Sequence, residues 1–82
     1  MEYFCYIIYS ERLDKYYVGH TEDLNTRLKQ HNLGISTFTS KADDWILVYS
    51  EAFSSREDAR SREFEIKKKK SRKYIEWLIA AK

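Results

Sequence analysis

The chain has no proline, two glycines and one cysteine among its 82 residues. That scarcity excludes collagen-like, linker-like and loop-scaffold architectures, which need proline and glycine in quantity. A lone Cys5 cannot close an intramolecular disulfide, and no Cys/His spacing resembles a structural zinc site. No apolar run approaches the roughly 18 residues of a membrane span, and the Met-Glu-Tyr start lacks a basic n-region. The expectation is a soluble, cytoplasmic protein with no membrane partner. What is abundant argues against disorder: 43% of residues are hydrophobic and 16% aromatic, with seven tyrosines. The length suits a single domain over residues 1–82, since a second domain would need roughly another hundred residues.

A net charge of +2 is too mild to argue for a polyanionic partner, but its distribution is uneven. Residues 1–41 carry five basic and five acidic side chains. From Arg60 to Lys73 there are eight basic residues against Glu63 and Glu65, including Lys67, Lys68, Lys69, Lys70, Arg72 and Lys73. Such a block can neutralise phosphates and give salt-dependent affinity for nucleic acid. It can equally be a solvated helix face.

The run YFCYIIY at Tyr3–Tyr9 is apolar without alternation, which predicts a strand covered on both faces and central in a small sheet. Glu11 to Asp14 predicts a four-residue turn, with Lys15 to Gly19 returning as a second strand. Thr21 is placed to cap a helix, with Glu22 and Asp23 in its first turn and Gly34 as its terminator. Residues 35–44 read as a polar loop and Trp45 to Phe53 as a third strand. Ser54 and Glu57 form a capping-box pattern for a second helix reaching about Lys70. Tyr74, Ile75, Trp77, Leu78 and Ile79 mark a last amphipathic helix. The order β-β-α-β-α-α implies an α+β fold, a small three-stranded antiparallel sheet flanked by helices.

A four-residue turn pairs Ser10 with Lys15, so Tyr6, Ile8, Tyr17 and Gly19 share one sheet face. A slip of one residue would separate them. On the following helix Arg27 and His31 lie four apart beside a Leu24/Leu28 stripe. Each feature has an ordinary reading: paired tyrosines as core, Arg27 and His31 as a helix-surface pair, Glu63 as a carboxylate reaching for solvent.

Together, Tyr6, then Tyr17-Val18-Gly19, then Arg27, His31 and Glu63 resemble the GIY-YIG nuclease domain. The stretch CYIIYSERLDKYYVGHTEDLNTRLKQHN is similar to that family's N-terminal module. Ala59-x-x-x-Glu63, followed by Ile66-Lys67-Lys68, is similar to the helix bearing its metal-binding glutamate. The resemblance covers about residues 3–70 and is nearest the short, stand-alone bacterial members, akin to nuclease modules of DNA-repair and structure-selective endonucleases. Cys5 replaces the glycine of the first half-motif. His20 stands where repair enzymes often carry lysine, and Ile75 where some members carry asparagine.

The resemblance implies a metal-dependent endonuclease acting on nucleic acid, DNA ahead of RNA, by structure rather than sequence. Glu63 would bind one divalent cation, Mg²⁺ with Mn²⁺ as the alternative. Arg27 would stabilise developing charge, Tyr17 would activate water, His31 would relay protons near neutral pH, and Tyr6 would position the water or Tyr17. Gly19 would allow close approach of substrate beside His20, and Lys67, Lys68, Lys69, Lys70, Arg72 and Lys73 would hold the backbone. The alternatives are a nuclease-derived module that binds without cutting, and a protein-interaction domain with a decayed site.

Overall fold

The structure, a computed structural model, describes residues 1–35, 37 and 39–81. Positions 36 and 38, inside the expected 35–44 loop, and position 82 lie outside the described residues. Strand β1 is Tyr3–Ser10 and β2 is Lys15–Thr21; helix α1 is Leu24–Asn32, strand β3 Ile46–Phe53, helix α2 Arg56–Lys69 and helix α3 Arg72–Ala81. The sheet order is β2-β1-β3, antiparallel throughout, with β1 central as expected. This is the α+β arrangement the patterning predicts.

The strand β1 is unbroken in its apolarity because each face meets a different layer. Cys5 and Ile7, with Val18 of β2, pack against Ile66 of α2 and Leu78 of α3. Tyr6 and Ile8 face the other way, against Ala42 and Trp45, with Leu24 and Leu28 of α1 alongside. Ile7 and Ile8 are fully buried, worth about 1.5–3 kcal/mol each in apolar transfer. The hairpin register is the one the four-residue turn predicts: Ser10 opposite Lys15, Ile8 opposite Tyr17, Tyr6 opposite Gly19. The turn closes with the Asp14 N–H donating to the Glu11 carbonyl at 3.3 Å, Asp14 adopting φ 52°.

Helix boundaries differ from expectation in two places, each for a strand's sake. β2 continues to Thr21, which pairs with Phe4, so α1 is capped by Asp23, whose side chain accepts from the Thr26 N–H at 3.1 Å. Thr21 instead accepts from the Asp23 N–H, and neither Glu22 nor Asp23 lies in the helix's first turn. β3 runs to Phe53, which pairs with Tyr3, so α2 is capped by Ser55 accepting from Asp58 rather than by Ser54 with Glu57. Trp45 precedes β3 and is buried. Gly34 does terminate α1: at φ 78° it follows the cap, its N–H donating to His31 and that of Ile35 to Gln30.

Candidate active site

Strand parity places Tyr6 and Tyr17 on the face that α1 covers, and α1 turns Arg27 and His31 toward them. Tyr6 is central in the sheet yet reaches its β2 edge, because its ring lies across Gly19. A Cβ on Gly19 would sit 2.6 Å from the Tyr6 hydroxyl and 2.8 Å from ring carbon Cζ. The space expected above Gly19 for substrate is thus taken by Tyr6. The Tyr6 hydroxyl meets His31 Nε2 at 2.7 Å and is subject to the charge of the Arg27 guanidinium. Burial pushes the Tyr6 phenol up to about 12 despite Arg27, which pulls the other way. Tyr6 therefore keeps its proton. Tyr17 is half-buried, with its ring centre 5.1 Å from that of His31.

His31 is fully buried, not part of a helix-surface pair, and its second ring nitrogen, Nδ1, meets Thr39 Oγ1 at 2.6 Å. Desolvation and the nearby Arg27 charge push its pKa down to about 4 from the ordinary 6.5. The ring is neutral at physiological pH, which does not fit a relay that changes charge near neutrality. Sequence reasoning missed Thr39, a loop residue with no pattern to flag it, and Gln30, whose side-chain oxygen accepts from Arg27 Nη1 at 2.9 Å.

Glu63 comes from the opposite layer. With His20, it lies on the α2 face of the sheet, since His20 pairs with Cys5 across the hairpin. Glu63 Oε1 is 2.5 Å from His20 Nδ1, and Oε2 accepts from the Lys67 ammonium. The two layers meet round the β2 edge: Lys67 Nζ stands 5.4 Å from the Tyr17 ring centre, and Tyr6 is exposed to the charges of both Arg27 and Glu63. Tyr6, Tyr17, Arg27 and His31 thus cluster on one face, with Glu63 and His20 behind the edge. A cavity of about 600 Å³ between β2 and the α2–α3 junction includes Tyr17 and Lys67 in its lining, but not Tyr6, Arg27, His31 or Glu63.

Among the described residues, no group of three or more His, Cys, Asp or Glu side chains could hold a metal ion. Mg²⁺ does not require such a group. It keeps several waters and takes one or two carboxylates plus substrate phosphates. Glu63 fits that donor set, since its partner Lys67 is exposed on a flexible stem and can yield Oε2.

Lys67, Lys68 and Lys69 occupy the last turn of α2, where cations also complement the helix dipole. Lys70 follows at φ 48°. Among the described residues, Lys68, Lys70 and Lys73 are exposed and make no ion pair. Arg72 is committed elsewhere, to Asp14 at 2.7 Å and Glu76 at 3.2 Å, with its guanidinium 5.2 Å from the Tyr16 ring centre. No described helix is long and apolar enough to cross a membrane.

A sequence model of the family described as the GIY-YIG catalytic domain matches residues 2–75. A UPF0213 protein of Streptococcus pneumoniae is 35% identical over 80 residues, covering 95% of this chain and 81% of that protein. A UPF0213 protein of Staphylococcus haemolyticus is 40% identical over 52 residues, 62% of this chain, and the match spans only 63% of that relative. The solution NMR structure of a UPF0213 protein from Bacillus halodurans aligns with a TM-score of 0.61 at 32% identity, over 100% of this chain and 86% of the other. Both tyrosine half-motifs face each other across the hairpin, and the family match leaves out only the ends of the chain: the protein belongs to the GIY-YIG family of nuclease domains.

Proposed function

We propose that this chain is a divalent-metal-dependent endonuclease that hydrolyses phosphodiester bonds in DNA, choosing its substrate by structure rather than sequence, in the cytoplasm. The reading rests on the meeting of Tyr6, Tyr17, Arg27 and His31 on one sheet face with Glu63 just round the β2 edge. In this mechanism a water oxygen bonds to phosphorus while the bond from phosphorus to the leaving sugar oxygen breaks. Tyr17 first releases its own phenolic proton to solvent and then, as a phenolate with the Lys67 ammonium beside its ring as counter-charge, takes a proton of the attacking water, while the leaving oxygen takes up a proton from solvent. Tyr6 keeps its proton and holds the geometry through His31 and Arg27. Arg27 presents fixed donors to the phosphate oxygens as their charge grows. Glu63 would hold a divalent cation, Mg²⁺ or Mn²⁺, which when bound supplies Lewis-acid polarisation of a phosphate oxygen. Lys68, Lys70 and Lys73 are the cations best placed to grip backbone without reading bases.

The test is cleavage of branched, nicked and linear DNA with Mg²⁺, wild type against Glu63→Ala. Wild type should cut at least one structured substrate, and Glu63→Ala should bind it without cutting. No cleavage of any DNA or RNA by wild type would replace the enzyme with a nucleic-acid-binding module.

A further inference from the structure

His31 is fully buried and neutral, so one ring nitrogen carries a proton and the other offers a lone pair. Which is which depends on the two hydrogen bonds it makes, to Tyr6 through Nε2 and to Thr39 through Nδ1. The Arg27 cation acts on the Tyr6 oxygen and favours turning the lone pairs of that oxygen toward it. The Tyr6 O–H is then the group left to face Nε2. That bond requires a lone pair on Nε2 and a proton on Nδ1, and Thr39 Oγ1, 2.6 Å away, is the acceptor for that proton.

Thr39 is held where it can do this. It is fully buried, and its carbonyl accepts from Trp45 Nε1 at 3.0 Å. The Trp45 backbone is in turn gripped at both ends by Asn32, whose Oδ1 accepts from the Trp45 N–H at 2.7 Å and whose Nδ2 donates to the Trp45 carbonyl at 3.0 Å. Asn32 is the neighbour of His31 in α1. The loop is therefore strapped onto the helix it follows, and the strap returns the Thr39 hydroxyl to the next residue's imidazole. Among the described residues no buried side-chain nitrogen or oxygen is left without a partner.

From this geometry we propose that Thr39 is a positioning residue, which holds His31 as its Nδ1–H tautomer and so turns Nε2 into the acceptor that aims the Tyr6 hydroxyl. Thr39 touches no reacting atom. It acts through His31 and Tyr6, and its effect on cleavage rests on the nuclease reading above, whereas its effect on the tautomer does not.

The test is ¹⁵N NMR of the histidine ring in the full chain without metal or substrate, for wild type, Thr39→Val and Thr39→Ser. Wild type should show His31 protonated at Nδ1 and bare at Nε2. Thr39→Val keeps the shape but removes the acceptor, so the tautomer should change or become mixed. Thr39→Ser should restore it. Cleavage of the preferred substrate should fall about tenfold to a hundredfold in Thr39→Val, the range for partners that orient a functional histidine, and recover in Thr39→Ser. Should Thr39→Val fail to fold, the wild-type tautomer still decides the matter. An Nε2–H His31 in wild type overturns the proposal, as does a Thr39→Val protein that keeps the Nδ1–H form. Correct tautomers with no cleavage by any variant would leave Thr39's role standing and remove the nuclease reading instead.

Discussion

Gly19→Ala adds a single methyl group to the chain, and the structure says where it goes. The new carbon would lie 2.6 Å from the Tyr6 hydroxyl oxygen and 2.8 Å from its Cζ, against an ordinary contact of 3.4–4 Å. Relieving the closer contact to 3.4 Å needs a shift of about 0.8 Å, the difference between those two distances. Tyr6 is only 2% exposed and its hydroxyl is bonded to His31 at 2.7 Å, so a shift of that size along the bond would break it. Overpacking of this kind costs about 1–3 kcal/mol. For a domain of this length each kcal/mol moves Tm by about 4–8 °C, so the variant should melt roughly 4–24 °C lower. Cleavage should fall about a hundredfold, as expected when a catalytic group is misplaced by about 1 Å.

The assay is a double-mutant cycle of thermal melts with Tyr6→Leu, which removes the ring that the added methyl would strike. In that background a Gly-to-Ala change should be neutral or gain a few tenths of a kcal/mol through the unfolded chain. The coupling between the two sites should exceed about 0.5 kcal/mol. A Gly19→Ala protein that melts and cuts like wild type would refute the claim that this glycine makes room for Tyr6. So would an equal loss of stability in both backgrounds.

The same geometry fixes three further outcomes. Tyr17→Phe should keep the fold but lose about a hundredfold or more in turnover, as should Arg27→Ala; normal cutting by Tyr17→Phe assigns the base elsewhere. Neutralising Lys68, Lys70 and Lys73 should weaken DNA binding and flatten its salt dependence by about 0.9 for each phosphate no longer neutralised, whereas an unchanged slope makes them a solvated face. Folding lowers the His31 pKa from 6.5 to about 4, so the unfolded chain takes up the proton first. The stability this confers, on the order of 3 kcal/mol, is present above about pH 6.5 and drains as pH falls toward 4. Denaturant melts across that window should show the loss and His31→Asn should reduce it; an imidazole that titrates near 6.5 in the folded protein contradicts burial of the ring.

The parts of the site that can be read in the sequence are those fixed by parity and spacing. Four turn residues set the hairpin register, and the register alone puts Tyr6, Tyr17 and Gly19 on one face. Four-residue helical spacing does the same for Arg27 and His31. The caps resist such reading because the sequence offers neighbouring candidates, Thr21 against Asp23 and Ser54 against Ser55. Pairing of the preceding strand with β1 decides between them. His20 is legible in principle: one step beyond Gly19, it must face α2, where Glu63 awaits it. Reading it as a substitute for a lysine hides that partnership.

The depth of His31 cannot be read at all, and the reason is physical. Its helix position marks the edge of an apolar stripe, where an imidazole can stay in water or go inside. Burial costs an unpaired polar group about 1–3 kcal/mol, so the outcome turns on whether both ring nitrogens find partners. Tyr6 is a partner that register analysis supplies. Thr39 is not, because it lies in a loop without periodicity and depends on Asn32 and Trp45 to bring it back over α1. A strand or helix announces its faces through a repeat, whereas this strap is assembled from single hydrogen bonds with no repeat to read. The same strap that hides His31 from water also keeps it neutral, so the proton transfer proposed above falls to the half-buried Tyr17 and not to the imidazole.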